Sequence, residues 1–246
     1  MLSGTADLDT LAARAPVLDA FATEPLVLEQ TLVLQVVCEI DAAARESVLP
    51  PGLHPTNPPL VTVLVYRCPA SPFGPFAMAQ LRVECRSGIR PRAFLVGGFV
   101  DNAAAATTLA RRFGYTLEPG TVTLRRQYDA VDLRVTTADG RVAIAVAARD
   151  PDPLAPTDVQ YIANMNLAQT PRGLRLVQVE PSYQVHRAER GRPHVDAFDS
   201  AAWGDARIRP VCPVSASITV ADVTLPPIRF VCRPDVLAFE GTESVR

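Results

Sequence analysis

The chain contains no lysine: all 24 of its basic residues are arginine, against 26 acidic ones, for a formal charge of −2. Without an ε-amine, no side chain can form an imine with a carbonyl substrate. Without a basic surplus, there is nothing to hold a phosphate backbone, and nucleic acid is not expected as a partner. An all-arginine set beside abundant alanine and 23 prolines is also what a GC-rich coding sequence produces, which leaves the chemical consequence unchanged. Histidine is scarce too. His54, His186 and His194 show no metal-ligand spacing, so neither a metal nor another cofactor is expected. The five cysteines, Cys38, Cys68, Cys85, Cys212 and Cys232, form no CxxC pair and sit mostly in apolar runs such as QVVCEI and RFVCRP. They read as buried, reduced thiols. No apolar run approaches the roughly 18 residues a membrane-spanning helix requires, and no membrane partner is expected. The opening MLSGTADLDT has neither a basic nor an apolar signal region, so a cytoplasmic location is expected.

What is present is strand-like. Segments 26–38, 60–66, 93–100, 141–148, 173–180, 216–225 and 228–233 are rich in Val, Leu and Ile. Asp139-Gly140 within 138–141 suits a tight hairpin turn. Helix signals are fewer. Asp41 is a good N-cap for a helix that stops before Pro50-Pro51. Asp101-Asn102 open AAAATTLARRF, with two arginines in its last turn and Gly114 at the position where helices end left-handed. A third helix is expected within residues 6–21, and loops at 151–158 and 191–194. Together these give one α+β domain over 1–246, mainly antiparallel, with residues 1–25 as a helical N-terminal extension.

Four segments in order resemble the acetoacetate decarboxylase family. They are Asp41 through Leu49-Pro50-Pro51-Gly52-Leu53, FVDNAAAATTLARRFGY (99–115), VHRAERGRPHVDAF (185–198) and ITVADVTLP (218–226). The resemblance spans roughly residues 30–235. It implies a β-barrel-like acetoacetate decarboxylase-type fold with a few short helices, and a homo-oligomer. In that family a lysine pair follows the helix of the second segment; the first forms a Schiff base with a β-keto acid, and its neighbour's charge depresses its pKa. Counted from Asp101-Asn102, the pair falls on Leu117 and Glu118, with Tyr115 also matching. The family's glutamate falls near Met78 and its arginine near Thr31. The positions expected to react are therefore apolar or neutral, Glu118 excepted.

Two function classes follow from the resemblance. One is a non-covalent lyase, cyclase or isomerase acting on a largely apolar, carbonyl-bearing metabolite, in natural-product biosynthesis. Its candidate catalytic residues are Glu118 as a desolvated carboxylate, Tyr115 as a hydrogen-bond donor and His186 as a proton shuttle. Thr31, Met78, Leu117, Arg90 and Arg92 are its candidate substrate-binding residues, with Arg125-Arg126 as further anchors for a carboxylate or enolate and Tyr128, like Tyr115, as a donor to a developing oxyanion, against core packing as the alternative for both tyrosines. For Glu118 the alternative is a solvated loop residue; for the arginines it is surface charge. The other class is a catalytically inactive small-molecule-binding protein of the same fold.

The missing lysine generates a direct test. Acetoacetate and borohydride mixed with the protein, followed by intact mass measurement, will leave the mass unchanged. A stoichiometric reduced adduct would refute this and point to the α-amine of Met1, the one primary amine the sequence leaves.

Overall fold

A computed structural model describes residues 2–245; Met1 lies outside the described residues. Among the described residues, fourteen strands form one hydrogen-bonded sheet. In chain order they are β1 (Leu26–Glu39), β2 (His54–Pro55), β3 (Leu60–Cys68), β4 (Phe76–Ser87), β5 (Arg90–Val100), β6 (Glu118–Arg126), β7 (Ala130–Thr137), β8 (Val142–Leu154), β9 (Asn164–Thr170), β10 (Gly173–Val179), β11 (Ser182–Phe198), β12 (Cys212–Leu225), β13 (Phe230–Cys232) and β14 (Thr242–Ser244). The order β5-β6-β7-β8-β11-β12-β1-β3-β4 closes back on β5 and makes a barrel. Strands β9, β10, β13 and β14 continue from β5 as a side sheet. Most pairings are antiparallel; β5 pairs in parallel with both β6 and β9. The helices are α1 (Leu8–Ala12), α2 (Ala42–Val48), α3 (Ala103–Phe113) and α4 (Ala238–Gly241).

Strand alternation divides the interior in two. From β3, Val61, Val63 and Val65 enter one core while Leu64, Tyr66 and Cys68 enter another. Strands β6, β7 and β8 feed only the first, through residues such as Leu124, Leu133 and Val146. The first core therefore fills the barrel. Trp203 is buried in it, edge-on to Phe99 with ring centroids 5.0 Å apart, and its indole N–H donates to the Ala143 carbonyl at 3.1 Å. The second core lies on the opposite face of β1, β3, β4 and β12, where the side sheet and α3 close over it. Helix α3 presents Ala105, Leu109 and Phe113 to this core. It is capped by Asn102 accepting from the Ala105 N–H, and it ends at Gly114 with φ +71°. Asp41 caps α2 in the same way.

The third helix lies within residues 6–21, as expected, and covers Leu8–Ala12; Pro16 beyond it removes a backbone donor and disfavours helical geometry at Ala15. Beyond it, Leu18 and Ala22 pack into the second core as extended chain. Residues 151–154 extend β8 instead of forming a loop. Residues 191–194 belong to the seventeen-residue β11. Beyond Gly191, β8 is that strand's only neighbour among the described residues, so Pro193 stands on a free edge where no ladder donor is needed. Cys212 is exposed, unlike the other four thiols.

One surface contact pins two irregularities. Strand β1 bulges between Leu28 and Thr31, with Gln30 at φ +49°, and β11 bulges between Val185 and Arg187. Asp222 on β12 holds both: one oxygen accepts from the Gln30 N–H at 2.8 Å, the other lies 2.9 Å from His186 Nε2. The Gln30 hydrogen bond, then that of His186, lowers the Asp222 pKa below its ordinary 3.8. A lowered folded-state pKa contributes stability above the unfolded value and loses it as pH falls through the folded one. Asp222→Asn will therefore unfold at lower denaturant than wild type at neutral pH. The difference will narrow as pH drops below about 4, which urea titrations across that range will check.

Candidate active site

Strand β4 is buried on both faces, and its alternation sets the site. Ala79, Leu81 and Val83 point into the barrel, while Met78 enters the second core with Gln80 and Arg82 on the same face. Arg82 is 1% exposed. Its Nη1 donates to the Asn164 Oδ1 at 2.7 Å and to the Ile162 carbonyl at 3.1 Å, while its Nε has no partner. Among the described residues no ion pair includes Arg82. Asn164 on β9, also buried, turns its amide toward Gln80 Oε1 at 2.8 Å and Tyr115 Oη at 3.3 Å. The Gln80 Nε2 has no partner.

Four tyrosines surround this group. Tyr66 and Tyr183 share a hydroxyl–hydroxyl hydrogen bond of 2.5 Å. Tyr161 stacks on Tyr183 at 3.9 Å between centroids and bonds Thr219 Oγ1 at 2.6 Å. Tyr66 and Tyr115 are buried; Tyr161 and Tyr183 are half-buried and form the outer edge. Burial raises the pKa of all four, against the opposing field of Arg82. They are therefore neutral hydroxyls at physiological pH. Burial also pushes Cys38 up to about 11 and Cys68 and Cys85 up to about 12, so none of the three is a thiolate nucleophile near neutrality. Among the described residues no group of three or more His, Cys, Asp or Glu is arranged to hold a metal, and no helix is long and apolar enough to cross a membrane.

The structure brings together part of the expected set. Tyr115 belongs to the cluster. Thr31, Met78 and Leu117 reach the same second core. Thr31 Oγ1 donates to the Leu28 carbonyl at 3.1 Å and meets Cys68 Sγ at 3.5 Å. Met78 lies across from Tyr66. Leu117 sits over Gly98, the partner of Gln80 across the β4–β5 ladder. A Cβ at Gly98 would come within 2.7 Å of Leu117 and 2.6 Å of the Ala79 carbonyl, so only glycine permits this approach.

The remaining candidates lie elsewhere. Glu118 is not desolvated: Leu117 turns inward, so alternation turns its neighbour out to solvent, into an open cleft with Arg14 and Arg141. His186 is on the surface, held by Asp222. Arg90 and Arg92 stand at the far end of β5, both against Glu180. Arg126 is bound to Glu189, Arg125 is exposed and Tyr128 is fully exposed. Gln80, Arg82, Asn164, Tyr66, Tyr161 and Tyr183 were not identified from sequence. For Gln80 and Arg82 the signal was available: in FAMAQLRVEC they alternate with Ala79, Leu81 and Val83, which places two polar groups in a strand otherwise apolar on both sides.

No curated protein sequence matches the chain. Solved structures do match its fold. Acetoacetate decarboxylase from Legionella pneumophila subsp. pneumophila str. Philadelphia 1 superposes with a TM-score of 0.74 at 17% identity, over 84% of this chain and 86% of that one. The enduracididine biosynthesis enzyme MppR, complexed with pyruvate, gives 0.66 at 17% identity, over 84% and 89%. An acetoacetate decarboxylase-like enzyme from Sphingomonas wittichii RW1 gives 0.66 at 17% identity, over 85% and 92%. The model of one family, acetoacetate decarboxylase, matches residues 15–233, and the chain belongs to that family.

Proposed function

We propose that the protein binds a small, largely apolar, carbonyl-bearing metabolite without covalent attachment and acts on it as a lyase, cyclase or isomerase. The observation that carries this reading is Arg82, a buried guanidinium that no carboxylate answers, set among four neutral phenols. A desolvated charge costs several kcal/mol unless compensated, and here its compensation from the protein is one amide and one carbonyl. An anionic oxygen of a ligand would complete the coordination. On this reading Arg82 holds the oxygen on which negative charge develops, Tyr115 and Tyr66 donate hydrogen bonds to it, and Tyr161 and Tyr183 flank the entrance. Met78 and Leu117 supply apolar walls. A setting in natural-product biosynthesis is supported by the shared fold of MppR, whose name places it in the making of enduracididine.

Enolisation gives a readout that needs no knowledge of the full reaction. Exchange of the α-protons of 2-oxobutyrate and 2-oxo-4-phenylbutanoate in D2O, followed by proton NMR, will be accelerated by the wild type. Arg82→Met will lower that acceleration by about 10²–10³, the usual effect of losing one oxyanion donor. Its stability will stay within about 1–2 kcal/mol of wild type, since an apolar replacement removes a buried charge while leaving two acceptors unpaired. Tyr115→Phe will lower exchange with the fold intact. No exchange with either acid but saturable binding of 2-oxobutyrate that Arg82→Met abolishes would favour the inactive binding protein. Exchange unaffected by Arg82→Met would refute the site.

A further inference from the structure

The turn between β4 and β5 and the short helix α4 meet at a second cleft, of about 240 Å³. Its walls are large side chains that solvent reaches: Ile89 is 83% exposed, Phe239 80% and Phe230 39%. The two sides are in contact range, since a Cβ at Gly88 would lie 3.6 Å from the Phe239 ring. Arg90 and Arg92 line the same cleft. Arg92 is 7% exposed; one of its Nη groups donates to Glu180, the other to the Pro91 carbonyl at 3.0 Å, and its Nε has no partner. Arg90 reaches the same Glu180 oxygen at 3.8 Å. One half-exposed carboxylate thus answers two guanidiniums, leaving a net positive charge beside an apolar wall. The neutral donors nearby are committed: Gln178 donates to Cys232 Sγ at 3.0 Å and Thr242 to the Ala238 carbonyl at 2.6 Å.

We propose that this cleft is a second small-molecule site, which takes a monoanionic amphipathic ligand: a carboxylate carrying one aromatic ring or a short branched chain. The carboxylate meets Arg90 and the charge of Arg92 behind it. The apolar body covers Ile89, Phe230 and Phe239, surfaces that otherwise cost hydration free energy. The charge pattern selects a single anionic group: a dianion would exceed the one uncompensated cation, and a neutral ligand would leave it unanswered. The site does not depend on Arg82. Ala93, next to Arg92 in sequence, pairs with Asn164 across β5 and β9, and the two sites lie on opposite sides of that strand pair.

The probe is 4-phenylbutyrate, titrated into the full chain by calorimetry and ligand-observed NMR. Wild type will bind it saturably, one per chain. Arg90→Gln will weaken binding about five-fold, the upper range for an exposed charge partner, and Phe239→Ser about ten-fold. Both positions are exposed, so neither variant threatens folding. Arg82→Met will bind like wild type. Four results would each overturn the proposal: no saturable binding up to about 10 mM; binding indifferent to both variants; loss of binding in Arg82→Met, which would put the probe in the second core; or sedimentation showing that Phe239→Ser dissociates an assembly, which would make the face an interface between copies.

Discussion

A single positive charge sits where the fold can least easily accommodate it. Arg82 lies in the middle of a strand buried on both sides, and everything near it is arranged by that fact. Left bare, a guanidinium in such surroundings costs several kcal/mol or more. Its hydrogen bonds to Asn164 and to the Ile162 carbonyl draw the start of β9 against the face of β4. Asn164 then orients the Gln80 amide and reaches Tyr115, which follows α3. The barrel wall, the side sheet and the segment after the helix are thereby joined through polar contacts inside an otherwise apolar core. Such a network specifies geometry more than it contributes stability: a set of apolar side chains of equal volume would be cheaper in free energy. The arrangement makes physical sense as a receptor for negative charge, which is why it carries the functional reading.

The framework was legible where alternation and capping act locally. Strands β1, β3, β5, β10 and β12, the N-caps Asp41 and Asn102, and the left-handed Gly114 all follow from short stretches of sequence. The failures have a common cause, which is context that sequence does not display. Pro193 reads as a loop until β11 is known to have lost a neighbour. Within residues 6–21 the sequence indicates a helix but not its end, which comes at Ala12, ahead of Pro16, while tertiary burial of Leu18 places the following segment. Within the site, family resemblance brought Thr31, Met78, Tyr115 and Leu117 to the right core but could not say which side of the strand Glu118 would take. That depended on Leu117 facing Gly98, a contact fixed only when β5 and β6 pair. The other tyrosines were invisible for another reason: Tyr66, Tyr161 and Tyr183 come from three separate segments, and nothing but the closed sheet gathers them around Tyr115.

The protonation states then restrict what such a site can do without an amine. An imine would activate a carbonyl by converting it into a better electron sink; lacking lysine, the remaining route is hydrogen bonding and charge. Raised pKa values keep the phenols protonated throughout the neutral range, so they act as donors and not as bases. Arg82 is likewise a donor only. Among the described residues no carboxylate or imidazole joins the cluster to take a proton; Glu118 and His186 both face solvent. A site of this composition can lower the barrier to forming an enolate by roughly 3–4 kcal/mol for each well-placed donor, but it supplies no base, so a proton leaves only to water or buffer. Exchange with solvent can proceed on that footing; for full turnover, on the proposed reading, the substrate brings its own driving force. It would carry a proton acidified by two carbonyl groups, a leaving group already beta to the carbonyl, or a nucleophile within the same molecule. Elimination, isomerisation and ring closure meet that condition, with the apolar walls holding the reactive conformer. On the proposed reading, the absence of an amine, and of a base within the cluster, thus narrows the chemistry to reactions that need stabilisation of charge more than its creation.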